Sequence, residues 1–138
     1  MTDQSSFLAE LPDNLKGLNL SGTTLTDLTL LQHLVNLHTL FLANTRITDL
    51  SPLTRLQNLV WLDLSGTVIK DLSPLSHLGK LEYLELSATK VQDLSPLLQI
   101  KSLRTVAVPT TDIVDCDKLA KNGVKIVYQT SLTPYSQT

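Results

Sequence analysis

Cysteine, aromatic side chains, glycine and net charge are all scarce in this chain of 138 residues. The one cysteine, Cys116, excludes an internal disulfide, and a reducing compartment is expected. One Trp, three Tyr and two Phe make up only 4% of the chain, too few to organise a core around large rings. Lys and Arg number 11 against 13 Asp and Glu, so the formal charge is -2 and there is no electrostatic footprint for nucleic acid. No apolar run reaches the ~18 residues that a membrane span needs. The opening MTDQSSFLAELPDNL lacks a basic start, a long apolar stretch and a small-residue cleavage site, so no secretory leader is expected. These absences predict a cytoplasmic protein, or an effector delivered without such a leader. Asn19-Leu20-Ser21 has the form of a glycosylation acceptor, which in that setting is read as unmodified.

What the chain has is leucine, at a fixed step. Leu20, Leu42, Leu64, Leu86 and Val108 are 22 residues apart, and so are Leu18, Leu40, Leu62, Leu84 and Val106. Leu15, Leu37, Leu59, Leu81 and Leu103 keep the same step. It recurs in Leu25, Ile47, Ile69, Val91 and Ile113, and in Asp27, Asp49, Asp71, Asp93 and Asp115. Each unit holds an L-x-L segment of alternating character, which is a short strand with one buried face. The D-L-S-P-L that follows is a turn opening a helical stub. Ser51, Ser73 and Ser95 are placed to cap it, with Pro52, Pro74 and Pro96 at its first position. Each Asp before the stub can accept backbone N–H groups in the turn. One unit cannot bury its leucines, but stacked units can.

The stack organises the whole chain. Residues 1–14 are expected to cover its start, with a helix from Ser5 to Leu11 that turns Phe7, Leu8 and Leu11 inward and stops at Pro12. Repeats fill 15–115. Residues 116–128 form the other cover: a helix in DCDKLAKNG, capped by Asp115 or Asp117 and ended by Gly123, then a strand over Val124–Tyr128, about two residues early against the step. Residues 129–138 are polar and predict a flexible tail.

The stretch NLHTLFLANTRITDLSPLTRLQNL resembles the 22-residue leucine-rich repeat of bacterial internalins and SDS22-type phosphatase regulators. The resemblance covers about residues 15–128. It implies an α/β leucine-rich repeat solenoid, a horseshoe segment with a parallel sheet on the concave face and short helical stubs on the convex side. It also implies a non-enzymatic role in binding proteins, since internalins bind host receptors and SDS22-type proteins a phosphatase. This chain departs by carrying Thr23, Thr45, Thr67, Thr89 and Thr111 where many such repeats have Asn. Their hydroxyls are expected to bond neighbouring loop backbone along the stack. Internalin features beyond the repeats (leader, immunoglobulin-like junction, wall anchor) are not read in this sequence, so a surface adhesin is not expected, and a cytoplasmic adaptor, an effector delivered without a leader and a toxin-neutralising partner stay open.

In such a repeat the strand residues between buried leucines line the concave face. One outward column is Gly17, Thr39, Trp61, Tyr83 and Thr105, and the next is Asn19, Phe41, Asp63, Glu85 and Ala107. Lys16, His38, Val60, Glu82 and Arg104 follow one edge. Adjacent strands lie ~4.8 Å apart, which sets Tyr83 beside Trp61 and Phe41 roughly 8 Å diagonally from it. Trp61, Tyr83 and Phe41 are the candidate anchors for a protein partner, with Asp63, Glu85, Glu82 and His38 adding polar selectivity. Aromatic residues on a sheet face also serve cross-strand packing, so a purely structural role stands beside this one. Carbohydrate stacking on Trp61 and Tyr83 is the other alternative, as is self-association through the same patch.

Reactive constellations are not expected. The aspartates offer one carboxylate per turn with no accompanying glycines, unlike a calcium loop. His33 and His77 stand two repeats apart, roughly 10 Å, too far for one zinc ion. Cys116 takes a core leucine position, which predicts a buried inert thiol. Arg46, Lys70 and Lys90 lie near one rim and read as a solvated edge. No cofactor and no metal are expected, and no catalytic residues.

Overall fold

In the computed structural model, which describes residues 4–110 and 113–128, the 22-residue step becomes the spacing of hydrogen-bonded strands. The strands β1 (Gly17–Asn19), β2 (Thr39–Phe41), β3 (Trp61–Asp63), β4 (Tyr83–Glu85), β5 (Thr105–Val108) and β6 (Lys125–Tyr128) form one parallel sheet in chain order. Register follows the repeat: Leu18, Leu40, Leu62, Leu84 and Val106 are successive partners. The last step is shorter, with Thr105 opposite Lys125 and Ala107 opposite Val127, so the final strand does arrive two residues early. A parallel sheet needs a crossover between strands. Here each crossover is a turn, a one-turn helix and a short return.

Those helices are 3-10 segments at Thr29–Leu31, Ser51–Arg55, Ser73–Leu75 and Ser95–Gln99. Their hydrogen bonds span three residues, as in Leu53 N–H to Leu50 O at 2.9 Å, the tight form that short pieces take. The expected cap is reversed. Ser51 does not cap the helix with its hydroxyl. Asp49 Oδ1 instead accepts both the Ser51 N–H at 2.9 Å and the Ser51 hydroxyl at 2.6 Å. Asp71 does the same for Ser73, and Asp27 for Thr29. A serine cap would accept an N–H two or three residues further on, whereas here the serine hydroxyl turns back and donates to the carboxylate two residues before it, a charged and therefore stronger acceptor. Proline accordingly sits second in the helix, still within the turn whose N–H groups have no helical partner.

Leucines from strands, turns and stubs fill one continuous core, in which Leu40, Leu53, Leu56, Leu62, Leu64 and Leu75 are all fully buried. Thr45, Thr67 and Thr89 are buried as well. Their hydroxyls do not reach along the stack. Each donates to a carbonyl three residues back in its own turn: Thr45 to Leu42 at 2.8 Å, Thr67 to Leu64 and Thr89 to Leu86 at 2.7 Å. The local bond removes the cost of burying the hydroxyl. Other side chains bridge between repeats: Ser21 Oγ accepts the Ala43 N–H at 3.1 Å, and the Ser102 hydroxyl donates to Leu81 O at 2.7 Å. Asn36 Nδ2 donates to Asp13 O at 2.8 Å, Asn58 Nδ2 to Val35 O at 2.9 Å, and Lys80 Nζ to Asn58 Oδ1 at 2.9 Å. Thr111 lies outside the described residues.

The tight turn after each of the first four strands uses a left-handed residue: Gly22 (φ 77°), Asn44 (58°), Gly66 (71°) and Ala88 (58°). Gly66 has a second reason to lack a side chain, because a Cβ there would stand 2.1 Å from Asn44 Oδ1.

A short helix stands at each end of the stack. Helix α1 spans Gln4–Ala9 and buries Leu8, with Leu11 half-buried beyond it. Phe7, expected inward, is 55% exposed. The helix is shorter than Ser5–Leu11 predicts, and its single turn aims one large side chain at the core. Helix α2 spans Cys116–Lys121. Asp115 stands at its N-cap without a side-chain cap bond and pairs instead with Lys118 at 3.5 Å, while Asp117 lies in the first turn. The other end closes as expected: Gly123 has φ 93°, its N–H meets Ala120 O, and Val124 N–H meets Leu119 O at 3.1 Å. Cys116 is buried, its Sγ 3.6 Å from the Tyr128 hydroxyl. The tail expected over 129–138 lies outside the described residues.

Candidate functional site

Alternation along each strand turns one leucine into the core and its two neighbours onto the open face of the sheet. The register then brings Trp61 opposite Thr39 and Tyr83, and Asp63 opposite Phe41 and Glu85. The two columns read from the sequence are therefore two rows on one surface. Trp61 is 43% exposed, and Tyr83 is half-buried beside it. Their ring centroids are 4.9 Å apart and their planes are tilted by 33°, within the range of attractive aromatic pairs.

The ring pair forms one wall of an apolar cleft of about 160 Å³. Its lining comprises Trp61, Tyr83, Leu84, Glu85, Thr105, Ala107 and Val127. Val127, 41% exposed, was not anticipated. A signal for it existed: the early last strand puts residue 127 rather than 129 next to Ala107, and so into the Asp63–Glu85 row. Phe41 is half-buried on β2, paired with Asn19 and Asp63, and does not line the cleft. The cleft thus opens from Trp61 toward the end of the sheet and away from Phe41.

The polar border is partly committed. Asp63 Oδ1 accepts the N–H and hydroxyl of Ser65 at 2.9 and 2.7 Å. Glu85 Oε1 accepts the N–H of Ser87 at 3.0 Å and its hydroxyl. One oxygen of each carboxylate is used this way, and neither residue forms an ion pair among the described residues. Glu82 pairs with Arg104 at 3.9 Å on the exposed edge, where solvent leaves such a contact little energy. His38 is exposed on the same edge, its Nδ1 2.8 Å from Asn36 O.

Elsewhere the candidates behave as scaffold. The carboxyls of Asp27, Asp49 and Asp71 are held below the usual value, first by the hydroxyl of the residue two on and then by its N–H. For Asp27 and Asp71 the neighbouring Asp49 works in the opposite direction. His33 bonds Leu11 O through Nε2 at 3.0 Å. Among the described residues no group of three or more His, Cys, Asp or Glu side chains could hold a metal ion. Lys70 and Lys90 share an open groove of about 630 Å³ with Ala88, Gln92 and Pro109, and Arg46 lies outside it. No helix of the described residues is long and apolar enough to cross a membrane.

The family model for leucine-rich repeats (two copies) matches residues 13–55 and 57–108. Among solved structures, an internalin C2 from Listeria monocytogenes is 32% identical with a TM-score of 0.80, over 94% of this chain and 57% of its own. The internalin inlF from the same organism is 29% identical with a TM-score of 0.63, over 84% of this chain and 41% of its own. The chain therefore spans about half the length of these neighbours. No curated protein matches it.

Proposed function

The chain belongs to the leucine-rich repeat family, of the bacterial internalin-like kind, and from that premise we propose that it is a non-enzymatic recognition module binding a partner protein on the open sheet face. The family is generally non-enzymatic and typically binds proteins. The observation that carries the reading is the Trp61–Tyr83 ring pair, with Trp61 held open to solvent on the sheet face beside Val127. Exposed tryptophan and tyrosine beside an apolar hollow have the composition of an interface hot spot. A role limited to cross-strand packing does not call for the hollow. The cleft is also smaller than the ~300 Å³ at which small-ligand pockets begin, which favours a broad protein surface over a sugar or metabolite.

The test is a quantitative capture with wild type and a Trp61→Ala/Tyr83→Ala variant as baits, both checked by circular dichroism. A partner held by wild type and weakened at least tenfold with the variant is expected. Hydrogen exchange on that complex should protect β3, β4 and β5. Equal capture by both baits, or protection confined to the turns and stubs, defeats the reading.

A further inference from the structure

We propose that the cleft beside Trp61 selects a basic partner segment, one that places a single apolar side chain in the hollow and a lysine or arginine against Asp63 and Glu85. The inference rests on the protein-binding reading above and names the chemistry of the partner.

Size limits the apolar part. A cavity of about 150 Å³ holds one benzene ring, so a hollow of about 160 Å³ takes one side chain rather than a helix face. Trp61, Tyr83, Leu84, Ala107 and Val127 supply most of the lining beside the polar Glu85 and Thr105, so the group that fits the hollow is chiefly apolar. Charge limits the rest. Asp63 and Glu85 are direct register partners on β3 and β4, so two carboxylates lie side by side, both half-buried. Like charges placed opposite each other destabilise a sheet. Ser65 and Ser87 use one oxygen of each, and the second oxygen has no partner among the described residues. Arg104 is engaged by Glu82 on the neighbouring edge, and Lys125 stands beyond Thr105 on the far side of the hollow. No cation among the described residues pairs with either carboxylate, so both are open to a partner's lysine or arginine. Trp61 lies directly beside that position, and an indole face adds attraction for a cation within ~6 Å of its centroid.

The experiment is selection of a phage-displayed library of random dodecapeptides on three baits: wild type, Asp63→Asn/Glu85→Gln, and Trp61→Ala/Tyr83→Ala. The amide variants keep the carbonyl oxygen that Ser65 and Ser87 use and remove only the charge, and melting curves confirm that they fold. Wild type should enrich peptides with Lys or Arg near an aliphatic or aromatic residue. The affinity of the best of these should fall at least tenfold on the amide bait and weaken with added salt. Apolar peptides without basic enrichment, bound equally by the amide bait and lost on the aromatic bait, overturn this inference and leave the protein-binding reading standing. No enrichment on wild type above the aromatic bait overturns both. A wild-type dimer in sedimentation that is lost with Trp61→Ala/Tyr83→Ala makes a second copy the occupant and also overturns it.

Discussion

The same local device appears on two sides of this molecule, with different consequences. On the outer turn, an aspartate holds the N–H of the residue two on in four successive repeats, at Asp27, Asp49, Asp71 and Asp93. On the sheet face, Asp63 and Glu85 hold Ser65 and Ser87 in the same way, but the column around them reads Asn19, Phe41, Asp63, Glu85, Ala107 and Val127. The first row repeats because every turn must start a helix. The second changes from strand to strand while the backbone beneath it does not. Where a residue type recurs with the period, it builds the stack. Where it departs from the period on a face that the period exposes, it is free to recognise something.

The contrast breaks most readily at the core. Leu62→Ala, between Trp61 and Asp63 on β3, removes a fully buried periodic side chain and should cost about 2–5 kcal/mol in urea unfolding. Asp63→Asn, one residue on, should stay within about 0.5 kcal/mol of wild type. Comparable losses from the two would erase the distinction between building and recognising columns. Acid should then separate the outer row. The carboxyls of Asp27, Asp49 and Asp71 are held low in the folded chain, so the stability they contribute is present above the ordinary value of 3.8 and disappears as pH falls through their lower folded values. The melting temperature should drop through that window at low salt. An Asp49→Asn/Asp71→Asn variant, which keeps an acceptor oxygen, should start lower and fall less steeply. An identical slope in both proteins would mean that the outer row is electrostatically idle.

The smallest effect is a place where a building column breaks its own rule. Ala88 occupies the left-handed turn position that Gly22, Asn44 and Gly66 fill in other repeats. The left-handed conformation costs an L residue about 1–2 kcal/mol, and added freedom in the unfolded chain returns about 0.4–1 kcal/mol of that on changing Ala to Gly. Ala88→Gly should therefore stabilise by about 0.5–1 kcal/mol in thermal or urea melts, and a loss of stability would show that the methyl group packs.

The sheet, its register, the two outward columns and the early last strand were all legible, because burial demanded the same residue every 22 positions. Choices between equivalent donors or acceptors were not. The aspartate's hold on an N–H in the turn was legible, but only geometry shows that the serine hydroxyl donates to that carboxylate instead of capping the helix. The threonine hydroxyls could bond along the stack or within their own turn, and the structure shows the second. Phe7 has a helical spacing to Leu11, but the helix ends at Ala9 before that spacing can operate. Val127 needed the shortened step to be carried one column further.

The strict order of the sheet has a mechanical side. Each strand pairs only with its neighbours in sequence, and each stub packs only on the next stub or the covering helix. Force applied at the two ends meets these attachments one after another, as a zip fastener does. Each repeat that lets go frees 22 residues, about 75 Å of extended chain. The molecule is thus a short spring with a ruled scale, whose graduations would appear as evenly spaced steps in a single-molecule pulling trace.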